Sequence, residues 1–270
     1  MMSDKQRIDT FLHENNYFDS REKARRAIMA GDVLVDGNIV DKAGAKINVL
    51  SHIEIKQKER YVSRGGYKLE KAQIAFSLDL QDKICMDIGS STGGFTDCML
   101  QNGARKVYAV DVGYGQLEWK LRNDSRVKVL ERTNFRYMDH SLIEDRINFF
   151  SVDVSFISLK LMFPNMASLA AENAEAVTLI KPQFEAGRKK VGKHGVVKDK
   201  NTHMEVIRNT IAYGSDHGFE LIDLSFSPIK GAKGNIEYLA FFRYSGVKTI
   251  CDYEDRIDRI VNLANIELNN

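Results

Sequence analysis

Cys85-Met86-Asp87-Ile88-Gly89-Ser90-Ser91-Thr92-Gly93-Gly94-Phe95 joins an apolar run to a helical stretch, and its reading decides the fold. Ile84–Ile88 reads as a buried strand and Gly94–Asn102 as the helix that follows. Glycines at such a turn let the backbone bend sharply and approach a ligand closely. Open α/β sheets bind ligands there, in the crevice at the carboxyl ends of the strands. A GxGxxG fingerprint would indicate a dinucleotide, but this run is Asp-x-Gly-x-x-x-Gly-Gly. An acid at the strand end can pair with a cationic amino group, which a pyrophosphate lacks. Asp111 closes the next strand, where a carboxylate suits a ribose diol. The expected small-molecule site is therefore Asp87, Gly89, Ser90, Ser91, Thr92, Gly93, Gly94 and Phe95, with Asp111 and Val112 opposite. The plainer alternative is a glycine-rich turn with a capping acid and no ligand.

Working outward, the chain alternates apolar strands with helical stretches. Strands are expected at Ile84–Ile88, Lys106–Val110, Val127–Leu130, Phe149–Val152, Ala176–Ile180, Gly218–Ser225 and Tyr238–Tyr244, with a helix at Thr202–His217. That order predicts an α/β fold with a mostly parallel, doubly wound sheet. The amphipathic tail from Tyr253 to Ile266 predicts a docked helix.

Ahead of the sheet lies a small α+β module. Ile8, Phe11 and Leu12 mark one helix. Ala24, Ala27 and Ile28 mark a second, with Asp19 and Glu22 spaced as a capping box. Gly31 suits a helix terminus, Val33–Val40 a hairpin turning on Asp36-Gly37, and Ile53–Ile55 a closing strand. Lys56 to Glu70 is polar and basic around Gly65-Gly66, and reads as a solvated linker. The expected division is 1–57 for the module, 58–82 for a linker and entry helix, 83–246 for the sheet domain and 247–270 for the tail.

Composition limits the function classes. Hydrophobic residues at 43% and charged residues at 28% fit a soluble globular protein, while a net charge of +2 does not by itself indicate nucleic acid. No apolar run approaches the roughly 20 residues that span a bilayer, and Met1–Lys5 lacks the apolar core of a secretion signal. Cys85, Cys98 and Cys251 share no CxxC spacing, which argues against disulfides and structural zinc. The six histidines are equally scattered, so no metal is expected. The chain reads as cytoplasmic, and its oligomeric state stays open.

Three further strand ends carry polar residues that packing does not call for. Asp153 follows an apolar strand in Val152–Phe156, Lys181 follows another and is stopped by Pro182, and Glu237 borders a late strand. Lys68 lies in Ser63–Leu69, just before the sheet. Two lysines and two acids can compensate one another, and a lysine partly withdrawn from water beside a second cation can accept a proton. The plainer alternative for each is a surface ion pair.

Asp87–Phe95, Asp153–Leu159, Lys181–Gly187 and Ser63–Leu69 resemble the TlyA or haemolysin-A-type rRNA methyltransferases, relatives of the FtsJ-like ribose methyltransferases. The N-terminal module resembles the S4-type RNA-binding domain through Arg7-Ile8-Asp9, Ser20-Arg21, Lys23-Ala24 and Gly31–Gly37. The resemblance runs from about Lys5 to Tyr244. It implies a Rossmann-like methyltransferase sheet, S-adenosylmethionine as methyl donor, and transfer to a ribose 2′-hydroxyl, usually of cytidine in ribosomal RNA or a ribosomal subunit. It also implies a Lys68-Asp153-Lys181-Glu237 tetrad, with Lys181 as base or steering cation and Asp153 also near the donor.

Two basic surfaces are candidates for RNA: Arg7, Arg21, Lys23, Arg25 and Arg26 in the module, and Arg188, Lys189, Lys190 and Lys193 after the Lys181 motif, with Arg64 beside Lys68. The glycine-punctuated second stretch could close as a lid. Tyr114 and Phe184 are candidates for stacking on a base. The alternatives are an RNA-binding protein with a vestigial cofactor site and a membrane-lytic haemolysin. No pore-forming repeat or hydrophobic hairpin favours the latter. A base methyltransferase would need a cysteine or Asn-Pro-Pro-type loop where Asp153–Phe156 stands.

Overall fold

The computed structural model describes residues 5–56, 60–249 and 251–269. The expected boundary at 57/58 and the charges Lys58 and Glu59 lie outside them. The chain divides into two compact units, Met1–Arg60 and Tyr61–Asn270.

In the first unit β1 (Lys5–Arg7) leads into α1 (Ile8–Glu14), and α2 (Arg21–Met29) follows. β2 (Val33–Val35), β3 (Asn38–Ile39), β4 (Lys46–Asn48) and β5 (Ile53–Ile55) complete it. β1 pairs antiparallel with β4, and β2 lies between β3 and β5. Ile8, Leu12, Ala24, Ile28 and Val33 are fully buried and form the core. Asp36 and Gly37 both adopt positive φ, the conformation that a tight two-residue hairpin turn requires. The expected cap at Asp19 is displaced by one residue. Ser20 is the N-cap and accepts from the Lys23 N–H, while Asp19 pairs with the Lys23 ammonium instead. Both residues cap well, and the extended backbone of Ser20 decides between them.

The second unit opens with α3 (Gly65–Phe76) and is built on seven strands: β6 (Ile84–Ile88), β7 (Lys106–Val110), β8 (Val127–Leu130), β9 (Ile147–Val152), β10 (Ala170–Ile180), β11 (Phe219–Phe226) and β12 (Tyr238–Tyr244). Their order is β11-β12-β10-β9-β6-β7-β8. β10, β9, β6, β7 and β8 run parallel, and β12 is antiparallel to both its neighbours. β9 and β10 begin earlier than expected. β10 gains its first residues through an irregularity between Ala170 and Glu175, where Asn173 has positive φ.

Side-chain alternation splits the core into two layers. Met86, Ile88, Tyr108, Val110, Phe150 and Val152 face α6 (Phe163–Leu169), α8 (Lys200–Asp216) and α9 (Glu254–Asn269). Cys85, Val107, Ala109, Phe149, Val177 and Leu239 face α3 and α4 (Gly94–Gln101), and the short α5 (Trp119–Arg122) follows β7. The carboxyl ends of β6, β7, β9 and β10 thus meet on one rim, which the expected site residues share.

Candidate functional site

The segment from Tyr61 is not the solvated linker that its charge suggests. Tyr61 is buried, the Val62 N–H donates to Asp97 Oδ2 at 2.9 Å, and α3 packs on α4. Two double glycines interlock where these helices start. A Cβ on Gly94 would lie 2.4 Å from Ser63 Oγ and 2.8 Å from the Gly66 nitrogen. Gly93, with φ of +94°, leaves room for the Leu117 and Leu121 side chains, while Gly94 serves approach of chain to chain. Gly89 does the same across the sheet: its φ is +85°, and a Cβ there would sit 2.5 Å from the Asp153 carbonyl oxygen. Asp153 N–H in turn donates to the Ile88 carbonyl at 3.0 Å, tying the end of β9 to the glycine turn.

Asp87 is not an open acid. It is fully buried, accepting from the Thr96 N–H (2.9 Å) and hydroxyl (2.6 Å) through Oδ2, and from the Ser151 hydroxyl (3.1 Å) through Oδ1. Burial pushes its pKa up to about 7, against these hydrogen bonds. Its carboxyl holds the first turn of α4, and with it the loop, in place. Asp111 is half-buried and bridges loops: Oδ2 accepts from Ser91 N–H at 2.8 Å and Oδ1 from Gly113 N–H at 2.7 Å. Val112 beside it is exposed.

Lys68, Asp153, Lys181 and Glu237 come from four elements and meet. α3 carries Lys68 on its second turn, and its Nζ donates to Glu237 Oε2 at 2.7 Å while lying 3.8 Å from Asp153 Oδ2. Lys181 Nζ is 2.5 Å from Asp153 Oδ1 and donates to Ser155 Oγ at 3.0 Å. Pro182 ends β10 and begins α7 (Pro182–Glu185), so the extended conformation imposed on the preceding residue sets where Lys181 points. The Lys68, Lys181 and Glu237 side chains are 11%, 9% and 3% exposed, so two cations and two anions are withheld from water as a balanced set.

Sequence reasoning missed three participants. Gln183 donates to Glu237 Oε1 at 3.2 Å, and its own Oε1 is buried with no partner among the described residues. Glu185 receives the Leu159 N–H and the Ser158 hydroxyl, both at 2.7 Å, fixing the loop after Asp153. Phe156, in that loop, has φ of 64° and is 90% exposed, its ring 4.8 Å from Phe184. A solvent-facing phenylalanine in a left-handed conformation was the signal available only from the fold. Tyr114 is exposed beneath the Arg132 guanidinium.

Two cavities flank Gly89 and Asp153. One, of about 670 Å³, is walled by the tetrad, Ser63–Gly65, the loop Gly89–Thr92 and Gln183. The other, of about 370 Å³, lies between Asp111, Val112, Asn134, Phe135, Ile157 and Met162. Gly89, Ser91, Asp153, Ser155 and Phe156 line both, so the two form one cleft along the rim.

The expected basic surfaces divide. Arg7 and Arg21 both grip the fully buried Asp9, at 3.0 and 2.9 Å, which holds its carboxyl down at about 2. Lys23 pairs with Asp19 and Lys190 with Glu205. Arg25, Arg26, Arg64, Arg188, Lys189 and Lys193 are exposed. Among the described residues no cluster of metal-binding side chains occurs, and no helix is long and apolar enough to cross a membrane.

The FtsJ-like methyltransferase family model matches residues 61–244, the unit that carries the tetrad and the glycine loop. The chain belongs to the FtsJ-like methyltransferase family. This methyltransferase also matches the S4 domain over residues 6–49. It is 50% identical over 91% of its length to YqxC, described as a candidate rRNA methyltransferase of Bacillus subtilis, 88% of which is covered. It is 37% identical to the 16S/23S rRNA (cytidine-2′-O)-methyltransferase TlyA of Mycobacterium tuberculosis, over 97% of this chain and 99% of that protein. Among solved structures, a candidate hemolysin from Streptococcus thermophilus aligns with a TM-score of 0.76 and 45% identity, covering 98% and 97% of the two chains.

Proposed function

We propose that this methyltransferase transfers a methyl group from S-adenosylmethionine to the 2′-hydroxyl of a cytidine ribose in ribosomal RNA. The observation that carries the reading is the convergence of Lys68, Asp153, Lys181 and Glu237 in a cleft continuous with the glycine loop. The cytidine and the ribosomal RNA rest on the name of the Mycobacterium tuberculosis relative.

The cleft fits the donor. On the smaller side, Asp111 keeps carboxylate lone pairs for a ribose diol beyond the two N–H groups it accepts, and Phe135, Ile157 and Met162 give apolar walls for an adenine. The loop Gly89–Phe95 would hold the amino-acid part, its shape fixed from behind by Asp87. When bound, the sulfonium supplies an activated methyl group.

The chain's own residues must strip a proton from the ribose hydroxyl as its oxygen attacks. Lys181 Nζ is the group offered to that hydroxyl, as base or as the cation that steers its oxygen. Asp153 and Ser155 aim it. Lys68 lies near the second oxygen of Asp153, Glu237 anchors Lys68, and Gln183 donates to Glu237 in turn. Phe156 and Phe184 present an aromatic face beside the tetrad on which the base can stack, worth roughly 1–3 kcal/mol. Arg25 and Arg26 of the S4 unit, and Arg64, Arg188, Lys189 and Lys193 of the other, supply cations for phosphates, which position RNA without reading its sequence.

A vestigial cleft is the weaker reading, because burying two ammonium and two carboxylate groups costs free energy that a purely structural role could avoid with apolar residues. The test is calorimetry with S-adenosylmethionine beside turnover on ribosomal RNA, for the wild type and Lys181→Ala. Stoichiometric donor binding by both, with transfer lost only in the variant, is expected. Near-normal turnover in the variant removes Lys181 from the mechanism.

A further inference from the structure

A separate cavity, of about 920 Å³, contains none of the four tetrad charges. Its walls come from the stretch after the Lys181 motif, the start of α8 and the segment 230–236. Lys193, Lys198, Lys230 and Lys233 line it, with Lys190 and His194 at its wall. The single acid in the lining, Asp199, is the N-cap of α8, taking the Asn201 and Thr202 N–H groups and the Thr202 hydroxyl. The cavity is therefore strongly cationic.

The frame around it is built rather than incidental. Asn235, 2% exposed, accepts from Val197 N–H at 3.1 Å and donates to the carbonyls of Gly195 and Ala232 at 2.9 Å each. One buried amide thus locks both lysine-bearing segments together. Below it, His203 is buried and spans Tyr238 Oη (2.6 Å) and the Val197 carbonyl (2.9 Å). Lys233 is held at φ of 58°, a conformation that costs free energy for a residue with a side chain and persists only where the surroundings enforce it.

Two residues connect this cavity to the chemistry. Lys230 and Lys233 line it and the tetrad cleft alike. Between them Gly231 lies against Glu237, so closely that a Cβ would fall 2.0 Å from Oε1. A polymer whose ribose meets Lys181 would cross this lysine ridge to leave the cleft.

We infer that the cavity is a backbone-binding site for the RNA strand flanking the methylated ribose, its phosphates held by Lys193, Lys198 and Lys233. The inference rests on the ribose methyltransferase reading and adds to it the exit path of the substrate. Each phosphate neutralised releases condensed counterions, so every lysine engaged steepens the salt dependence of binding by roughly 0.7 in log–log slope for a single strand.

The test is binding of purified ribosomal RNA across a salt series, for the wild type and for the variant Lys193→Ala, Lys198→Ala, Lys233→Asn. Asparagine is chosen because it tolerates positive φ. The expected result is a slope shallower by about 2, restored by the matching Lys→Arg variant. The S4 unit's contribution is common to all and cancels. If the triple variant fails to fold, the exposed single change Lys198→Ala carries the same test with an expected change of about 0.7. An unchanged slope in a folded variant, with wild-type methyl transfer intact, refutes the cavity alone. Absence of methyl transfer to RNA by the wild type overturns the ribose reading, and the cavity's role with it.

Discussion

Replacing Gly94 by alanine tests whether the glycine loop is shaped by chain-to-chain packing. The new Cβ would stand 2.4 Å from Ser63 Oγ, 2.8 Å from the Gly66 nitrogen and 3.2 Å from the Gly65 carbonyl carbon. A serine hydroxyl can rotate away, but the two backbone atoms begin α3 and cannot. The helices must separate, at a cost of about 2–3 kcal/mol. For a unit of this size that lowers Tm by roughly 5–10 °C. Because α3 carries Lys68 and α4 follows the loop, transfer should fall along with stability. Gly65→Ala is the control: its Cβ meets nothing nearer than 3.4 Å, and at the helix start alanine should be neutral or stabilising by about 0.4–1 kcal/mol. Gly66→Ala, whose Cβ would fall 2.2 Å from the buried Tyr61 ring, should be at least as damaging as Gly94→Ala. Calorimetric melting of the three variants reads all of this. Equal Tm values for Gly94→Ala and Gly65→Ala would refute the interlock.

Glu237→Ala leaves the Lys68 ammonium buried with Asp153, at 3.8 Å, as its remaining acid among the described residues, and should cost roughly 3 kcal/mol, the low end for a broken buried pair; chemical denaturation checks it. Burial raises the Asp87 pKa to about 7, so the folded state binds the extra proton. The associated stability is present at low pH and is lost as pH rises from about 4 through 7; an Asp87→Asn variant should show a flatter Tm profile over that range. Asp9 behaves oppositely: its carboxyl is held at about 2 by Arg7 and Arg21, so its contribution is present above about pH 4 and is lost as pH falls toward 2. Asp9→Asn should increase hydrogen exchange in α1 and α2 at neutral pH while leaving the second unit unchanged.

The seven strands of the large sheet were legible because each contains an apolar run, and the loop after Ile88 because glycine spacing is a local property; β1 (Lys5–Arg7) and β4 (Lys46–Asn48) are polar and were not anticipated. The tetrad was legible as four polar residues at strand ends and before the sheet, yet their meeting depends on the order β12-β10-β9 and on where α3 packs, which no local pattern encodes. Asp87 looked like an open ligand for the same reason: Ser151, its partner, is 64 positions away in sequence. Arg7 and Arg21 looked free because a buried acid, Asp9, was indistinguishable from a surface one. The charge of Tyr61–Glu70 disguised a packed segment, since the Val62 N–H is taken by Asp97 of α4 and the Lys68 ammonium by Glu237, both far away in sequence. Lys230 and Lys233 went unnoticed because the fold brings them beside Lys193 and Lys198 from more than 30 positions away.

The central claim is that the methyl group lands on a ribose oxygen of RNA. Mapping ribose methylation across ribosomal RNA, from cells with and without the protein, tests it directly. The account predicts at least one 2′-O-methylcytidine that disappears without the protein and does not return with Lys181→Ala. An unchanged ribose-methylation map, or a methyl group found on a base instead, would contradict it.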